Sequence, residues 1–194
     1  NIPSNPSKDE FVITYTGTIA DYYNPDVFLE ALKEVKDKNP DVRYKLRFVG
    51  ILSDGIKHRI HELGLSNILN DVGYVSHEDS IKYLMDSTAL LLINPVVSNE
   101  DMVIPGKIYE YLAARKPVIN ITKKSSDLAR IIGEAKAGET FERNMKVELT
   151  AFLQNLTDKW KQNPNLDISS TYNYYQNFSR HTETKHLASI IKNL

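Results

Sequence analysis

The 194-residue sequence predicts an α/β domain in which helices cover both faces of a doubly wound parallel sheet of about six strands. Three observations support this. Strand-like runs alternate with helix-like segments almost throughout, as in parallel strands joined by crossover helices. One run, Ala89–Ile93, is continuously apolar, as in a strand buried on both faces. The length and the hydrophobic fraction of 41% suit one domain with a substantial core.

The first two strands are predicted at Phe11–Thr16 and Tyr44–Val49, which are rich in β-branched and aromatic residues and are each followed by a glycine. Between them, Asn24 is a good N-cap and Pro25 suits the first position of a helix. Apolar residues then recur at helical spacing, and the helix ends before Pro40.

The next segment predicts a helix, a strand, a second helix and a second strand. Ser53 caps the first helix, which ends at Gly64. Residues 67–72 form a short third strand. Ser76, with an acidic residue three positions later, resembles a capping box and opens the helix that precedes the fourth strand, Ala89–Ile93.

After an irregular stretch at residues 94–104, Pro105 is predicted to start another helix. Pro117 then opens the strand Val118–Ile121, because proline is tolerated at the first residue of a strand. The remaining predicted elements are a helix capped by Ser125 or Ser126, a helix near residues 145–161 and a helix near residues 178–193.

Charge and composition exclude several classes of function. The formal net charge is −1 with both signs scattered along the chain, which argues against nucleic-acid binding. The absence of cysteine excludes disulfides, thiolate metal sites and cysteine nucleophiles, and it fits a cytoplasmic protein. The longest apolar runs are far shorter than the roughly 20 residues that a membrane span needs.

The chain is expected to be one domain, residues 1–194, from a longer protein. It lacks an initiator methionine, and its opening residues, NIPSNP, read like a linker. We therefore expect residues 1–10 to be a linker and residues 169–194 to form a closing helix. An aromatic cluster at residues 172–178 is expected to pack this helix on the domain.

The predicted fold also predicts where a ligand binds. In doubly wound sheets, ligands bind beyond the carboxyl ends of the strands, where the strand order reverses. The residues directly after each predicted strand are Gly17, Thr18, Gly50, Ile51, Tyr74, Val75, residues 94–107, Thr122 and Lys123.

The most informative of these segments is the start of the helix at Pro105. Gly106 permits close backbone approach, and the amides and dipole of a first helical turn favour a phosphate. Lys107 adds a cation, and Glu110, three residues later, can accept hydrogen bonds from two vicinal hydroxyls. An ordinary helix start with a surface Lys107–Glu110 pair, worth about 0.2–0.5 kcal/mol, is the alternative interpretation of the same residues.

The segment from Pro105 to Ile119, PGKIYEYLAARKPVI, closely resembles the nucleotide-binding helix of family-four glycosyltransferases, which have the GT-B fold. Other pieces resemble the family in the same order: YTGT with the following Asn-Pro, LRFVG, VGYVSHE, and FSR with KHLA near the end. The likeness covers nearly the whole chain, which corresponds to one Rossmann-like half of such an enzyme.

The resemblance implies roles for nine residues. Glu110 matches the second glutamate of the family's E-x7-E motif, which binds the ribose hydroxyls. The other matches are Pro105, Gly106, Lys107 and Ile108 at the diphosphate and donor sugar, Tyr74 and Val75 at the base, and Gly17 and Thr18 near the phosphates.

Two positions depart from the family pattern. The first glutamate of E-x7-E falls at Met102, so its contact with the donor sugar is missing or shifted to Glu100 or Asp101. The first loop, residues 18–23, also lacks the usual basic residue, and Lys107 is our candidate for replacing that charge.

The resemblance implies the donor-binding domain of a retaining glycosyltransferase, which moves a sugar from a nucleotide diphosphate sugar to a glycan or lipid-linked glycan, as in bacterial polysaccharide biosynthesis. No cofactor and no metal are expected, because helix amides and Lys107 would stabilise the leaving diphosphate. Catalytic residues are not assigned. The acceptor-binding amino-terminal domain would be missing, so the chain alone should be inactive, and the full-length enzyme would be a candidate for peripheral membrane association.

Two alternatives remain open from the sequence. A nucleotide-sugar epimerase with the GT-B fold would share the nucleotide site and act on the donor itself. A non-catalytic Rossmann-like binding module is the other, and Met102 favours it. Among the histidines, His58 and His61 have a metal-like spacing without a third ligand, and His77 is interpreted as a neighbour of a helix cap.

Overall fold

The computed structural model describes residues 7–163 and 180–192. Within them, one sheet of six parallel strands has the order β3-β2-β1-β4-β5-β6. The strands are β1 (Phe11–Thr16), β2 (Tyr44–Val49), β3 (Leu69–Gly73), β4 (Ala89–Ile93), β5 (Val118–Ile121) and β6 (Gly138–Phe141). The predicted Rossmann-like α/β class is confirmed.

Seven helices accompany the sheet in the described part of the chain. They are α1 (Asp26–Lys38), α2 (Asp54–Glu62), α3 (His77–Met85), α4 (Ile108–Ala114), α5 (Asp127–Glu134), α6 (Lys146–Gln162) and α7 (Arg180–Lys192). Short 3-10 helices occur at Asp21–Tyr23, Ser66–Ile68 and Glu100–Met102. Buried residues of α1, α2 and α6 share one hydrophobic core, and those of α3, α4 and α5 share another.

Strand β4 shows how the sheet separates these two cores. Leu90 and Leu92 belong to the core under α3, α4 and α5, whereas Ala89, Leu91 and Ile93 belong to the core on the opposite face. Successive side chains of a strand point to opposite faces, so a strand between two cores needs apolar residues at every position. The continuous apolar run is therefore a consequence of the strand's central place.

The strand order reverses between β1 and β4. β1 pairs with β2 along its whole length, whereas only Ile13 and Thr14 of β1 pair with β4, opposite Ala89 and Leu90. The ladder stops there, although both strands continue toward their carboxyl ends. The two strands therefore leave a crevice at the topological switch point, where this fold class binds ligands.

Several boundaries differ from the prediction. α1 begins at Asp26 with Pro25 as its N-cap, because Asn24 adopts a left-handed conformation (φ 45°) and accepts a hydrogen bond from the Asp26 amide. α4 begins at Ile108 instead of Pro105, since Pro105 and Gly106 form a turn that precedes the helix. β6 had no predicted counterpart, although six strands were expected.

Some predicted features lie outside the described residues, including the aromatic cluster at residues 172–178, residues 1–6 of the predicted linker, and the part of the closing helix before α7. Among the described helices, none combines the length and apolar character that crossing a bilayer requires.

The serine caps generate a first prediction. Ser126 is buried and accepts a hydrogen bond from the Ala129 amide at 3.1 Å, which settles the choice between Ser125 and Ser126. Replacing it by alanine leaves a first-turn amide of α5 without a partner, so Ser126→Ala should lower the free energy of unfolding by about 1 kcal/mol. Thermal unfolding followed by circular dichroism measures this. The exposed neighbour Ser125 binds only Asp101, so Ser125→Ala should change stability by less than half as much.

Candidate functional site

Three glycines form the carboxyl edge of the sheet at β1, β2 and β3. Gly17, Gly50 and Gly73 all have positive φ angles, of 96°, 131° and 75°. The Gly17 amide donates to the Val49 carbonyl, and the Gly50 amide donates to the Gly73 carbonyl, so the ladder continues one residue beyond the strands. A β-carbon at Gly50 would collide with the Gly17 carbonyl. This edge of the sheet is therefore bare backbone that a ligand can approach closely.

Lys107 points its ammonium at the end of β1. Its Nζ donates to the Thr16 carbonyl at 2.5 Å and lies over the Tyr15 ring, 3.8 Å from the ring centroid. A β-carbon at Gly17 would lie only 3.2 Å from Nζ, so the absence of a side chain there makes room for the amine. The cation that the sequence predicts in this turn is thus held against the glycine edge.

Tyr111, one helical turn after Lys107, fills the crevice between β1 and β4. Its hydroxyl accepts a hydrogen bond from the Thr16 amide at 3.0 Å and donates to the Leu91 carbonyl at 3.1 Å. The side chain is fully buried. The phenol therefore replaces strand pairing where the ladder stops, and Lys107 and Tyr111 together satisfy both backbone groups of Thr16.

Burial determines the protonation of these groups. Desolvation lowers the pKa of Lys107 from its ordinary 10.5 to about 7, and the negative charge of Glu110 opposes this only partly. Desolvation also raises the pKa of Tyr111 to about 12, so this phenol remains neutral and keeps its donated hydrogen bond. Lys107 is the cation of the site, and it titrates near neutral pH.

Glu110 faces the loop that follows β3. Its side chain is about one third exposed, at 34%, and its Oε1 lies 3.8 Å from Nδ1 of His77, the first residue of α3. Tyr74 and Val75 belong to the same loop, and Tyr74 is 89% exposed. The carboxylate therefore lies next to the predicted base-binding segment and is partly open to solvent.

The loop between β4 and α4 is fastened by a buried ion pair. Glu100, only 3% exposed, accepts hydrogen bonds from Arg143 at 2.8 Å and from the Thr122 hydroxyl at 3.2 Å. Arg143 also donates to the carbonyls of Asn94 at 2.7 Å and Tyr23 at 3.4 Å. One guanidinium therefore ties this loop to the end of β4 and to the loop after β1.

The acidic residues considered as replacements for the missing glutamate are used inside the protein. The carboxylate of Glu100 belongs to the ion pair with Arg143. Asp101 pairs with Lys123 at 3.3 Å and accepts a hydrogen bond from the Ser125 hydroxyl. Met102, at the family's glutamate position, is 75% exposed. The structure thus turns both acids toward neighbouring residues of this domain.

The predicted site residues converge on one edge of the sheet. Gly17 meets Lys107, and Glu110 lies beside the segment containing Tyr74 and Val75. In the described chain, the amides of Thr18, Gly106 and Lys107 at this edge donate no hydrogen bond to another backbone group. The amides of Ile108 and Tyr109 instead donate to the carbonyls of Pro105 and Gly106.

Sequence reasoning missed two residues that build this site. Tyr111 has a visible signal, since its spacing of four from Lys107 places both side chains on one face of α4. Arg143 follows β6 and meets Glu100 across 43 residues of sequence, and no local pattern indicates this contact. Both act by fixing the segments that carry the predicted residues.

The histidines form no metal site. His58 pairs with Glu62 at 3.3 Å on the exposed side of α2, and among the described residues no three His, Cys, Asp or Glu side chains could hold a metal ion. His77 follows the cap residue Ser76, as expected, but it also contacts Glu110.

A cleft of about 760 Å³ lies at the opposite, amino-terminal edge of the strands. Its charged groups pair with one another: Glu10 binds Lys45 at 2.5 Å and lies 3.6 Å from Arg43. Their charges therefore offset one another, and the cleft is on the side of the sheet away from the switch point. We assign the functional site to the glycine edge.

The fold and this edge define the class of the protein: a Rossmann-like domain whose switch point combines bare backbone, a half-buried cation and a carboxylate. The family described as "Glycosyl transferases group 1" matches residues 2–192. The chain belongs to this family. Its neighbours among solved structures share its fold, which is consistent with the carboxyl-terminal domain of a GT-B fold. No curated protein matches the chain in sequence.

Solved structures share this fold at low sequence identity. A mutant of S. aureus TarM, in complex with Fondaparinux, α-GlcNAc-glycerol and UDP, has a TM-score of 0.71 at 17% identity over 95% of this chain and 35% of that one. Anabaena Alr3699/HepE, in complex with UDP-glucose, has a TM-score of 0.67 at 15% identity, over 96% of this chain and 50% of that one. A Listeria monocytogenes protein described as a putative UDP-N-acetylglucosamine 2-epimerase has a TM-score of 0.60 at 15% identity, over 86% of this chain and 41% of that one. The chain spans at most half of each of these three.

The titration of Lys107 predicts how stability depends on pH. The unfolded chain holds its lysine proton up to about pH 10.5, whereas the folded chain releases it near pH 7, so folding expels a proton between these values. The cost in folding free energy of holding Lys107 protonated is therefore full below pH 7 and decreases as the pH rises. Between pH 7 and pH 9.5, the free energy of unfolding of the wild type should therefore rise by on the order of 2 kcal/mol relative to that of Lys107→Met. Urea unfolding at several pH values measures this difference. A difference that is constant with pH would contradict this assignment.

The ion pair of Arg143 predicts a large loss of stability. Arg143→Met leaves the Glu100 carboxylate buried without its cation, so it should cost about 3 kcal/mol in urea unfolding. Adding Glu100→Gln removes the buried charge and should recover more than half of that loss. Arg130, which pairs with Asp127 and Glu134 on the surface, is the control, and Arg130→Met should cost less than about 1 kcal/mol.

Proposed function

We propose that this chain binds the nucleotide diphosphate of a sugar donor at the glycine edge of its sheet. The observation that carries the proposal is that a single turn of chain, from Gly106 to Glu110, brings a cation to the end of β1 and a carboxylate to the first residue of α3. A nucleotide diphosphate has the matching sequence of groups, since its anionic phosphates and its ribose diol are joined to each other.

The diphosphate would lie over Gly17. Without a side chain there, phosphate oxygens can approach the backbone, and the amides of Thr18, Gly106 and Lys107 are available as donors. The Lys107 ammonium, against the same glycine, would supply the positive charge. This arrangement replaces the basic residue that residues 18–23 lack.

The ribose and base would extend toward α3. Glu110 would accept hydrogen bonds from the two ribose hydroxyls, and the exposed Tyr74 with the backbone of Val75 would hold the base. His77 contacts the same carboxylate, so ribose binding would place sugar hydroxyls beside the imidazole. Pro105 and Ile108 would shape the turn at the donor-sugar end.

The activity proposed for the whole protein is transfer of the sugar to an acceptor such as a glycan or lipid-linked glycan, with retention of anomeric configuration. The leaving diphosphate would be stabilised by backbone amides and Lys107, without a metal ion or cofactor. An amino-terminal domain would supply the acceptor site, so this chain alone would bind without turnover. We also propose a cytoplasmic location, peripheral association with a membrane and a hexose as the transferred sugar.

One observation favours a second candidate, a nucleotide-binding module without transferase activity. Glu100 and Asp101 are engaged within the domain, and Met102 replaces the glutamate expected at the donor sugar. A GT-B epimerase would use the same nucleotide site. Assaying the full-length protein for sugar transfer, donor epimerisation or neither distinguishes the three functions.

The nucleotide site makes a direct prediction for this chain. Isothermal titration calorimetry with UDP, GDP and ADP should detect binding of at least one of them. Glu110→Gln keeps the size of the side chain but removes the charge that accepts both ribose hydroxyls, so it should weaken that binding about tenfold or more.

Glu148→Gln provides a matched control, because Glu148 is also a first-turn helix glutamate, exposed at the start of α6. Its affinity should equal that of the wild type. Equal affinities for Glu110→Gln and the wild type, or no binding by any of the three nucleotides, would overturn the proposed site.

A further inference from the structure

Lys107 is a half-buried amine with few partners in the protein. Among the described residues, the Thr16 carbonyl is the one hydrogen-bond acceptor that Nζ reaches, although an ammonium has three protons to donate. The Tyr15 ring face covers another side of it. A protonated Lys107 is therefore partly desolvated. Apart from the attraction of the Tyr15 ring, it lacks a full set of acceptors in the protein, which is costly.

The titratable groups around Lys107 come from four directions. Glu110 lies on its own helix, with His77 of α3 beyond it. Tyr15 belongs to β1, and Tyr111 closes the crevice below. Tyr22 and Tyr23, from the loop after β1, act on Tyr15. Among the described residues, Glu110 is the acid whose charge stabilises the Lys107 ammonium. In the proposed function, the same carboxylate binds the ribose hydroxyls.

We propose that nucleotide diphosphate binding at this site is coupled to the uptake of one proton by Lys107, whose ammonium then turns from the Thr16 carbonyl to phosphate oxygens. The inference rests on the proposed function, because it concerns the same site. The step balances simply: a neutral amine takes a proton from solvent and becomes the ammonium that pairs with the bound anion.

The Lys107 ammonium has only a short distance to move from the Thr16 carbonyl to a phosphate. Nζ lies at the edge of the bare Gly17 backbone, so a phosphate over that glycine would be within reach of a small rotation of the side chain. A phosphate supplies the acceptors that the pocket lacks, which raises the pKa of Lys107 from its value of about 7 in the unliganded chain. The ligand and the proton therefore bind cooperatively.

The coupling fixes how affinity depends on pH. Below pH 7, Lys107 already carries its proton, so the affinity is at its maximum and independent of pH. Above pH 7, each bound ligand must bring a proton with it, so affinity falls up to tenfold per pH unit. This dependence has the opposite sign to the stability of the chain, which improves as the pH rises.

The test measures protons directly. Calorimetry of the wild type with UDP-glucose, GDP-mannose and ADP-glucose, in two buffers with different ionisation enthalpies, gives the protons taken up per ligand bound. In these ligands both phosphates are esterified, so the ligands do not titrate between pH 6 and 8. With the tightest binder we expect an uptake of about 0.1 proton at pH 6, 0.5 at pH 7 and 0.9 at pH 8.

Variants identify the group that takes up the proton. Lys107→Arg is always charged, so it should bind without proton uptake and without the loss of affinity above pH 7. Lys107→Met should bind at least tenfold more weakly at pH 6, with no uptake. Lys159→Met, an exposed lysine on α6, and His77→Gln, beside Glu110, should both retain the wild-type uptake.

Each result separates this inference from the proposed function. Binding that is sensitive to Glu110→Gln, but with no proton uptake at pH 8, overturns the inference and leaves the nucleotide site standing. Uptake that survives in Lys107→Met, or disappears in His77→Gln, assigns the proton elsewhere and also overturns it. No binding of any sugar nucleotide overturns both. If the Lys107 variants fail to fold, the uptake profile of the wild type decides.

Discussion

The site depends on how the first turn of α4 docks into the crevice between β1 and β4. Thr16 has no strand partner there, and the helix supplies one through the Tyr111 hydroxyl and the Lys107 amine. These contacts fix the turn that begins at Pro105 over the glycine edge and set the direction of Glu110. The same docking therefore satisfies buried backbone groups and places a cation and a carboxylate at the same edge of the sheet.

Much of the fold is readable from sequence because its strongest signals are local. The fully apolar β4 and the serine caps at Ser76 and Ser126 are short-range patterns, and the structure contains each of them. β6, with the sequence GETF, carries no strand pattern, because it forms by pairing with β5 at the edge of the sheet. Tertiary pairing, not local propensity, made that strand, so no single segment predicted it.

The residues of the candidate site also fall into those with a local sequence signal and those whose placement depends on tertiary contacts. Gly17, Lys107 and Glu110 stand out as residue types placed after predicted strands or at a predicted helix start, and the family resemblance attached a ligand to them. The sequence places the Lys107 cation in the first turn of a predicted helix, whereas the direction of its ammonium depends on Tyr15 and on the missing side chain of Gly17. Arg143 could not be foreseen, because its partner Glu100 lies in another loop.

The Arg143–Glu100 ion pair and the half-buried Lys107 have opposite consequences. Arg143 and Glu100 neutralise each other within the protein, so the pair fastens the loop between β4 and α4 and leaves no charge for a ligand. The Lys107 ammonium has one hydrogen-bond acceptor although it has three protons to donate, so the protonated side chain lowers the stability of the folded chain when no anion is bound. A charge that is incompletely paired inside a fold is costly for stability, but it gives a binding anion more to gain. The incomplete pairing of Lys107, more than the amides of a short helix, is therefore what would favour an anion at this edge in the proposed function.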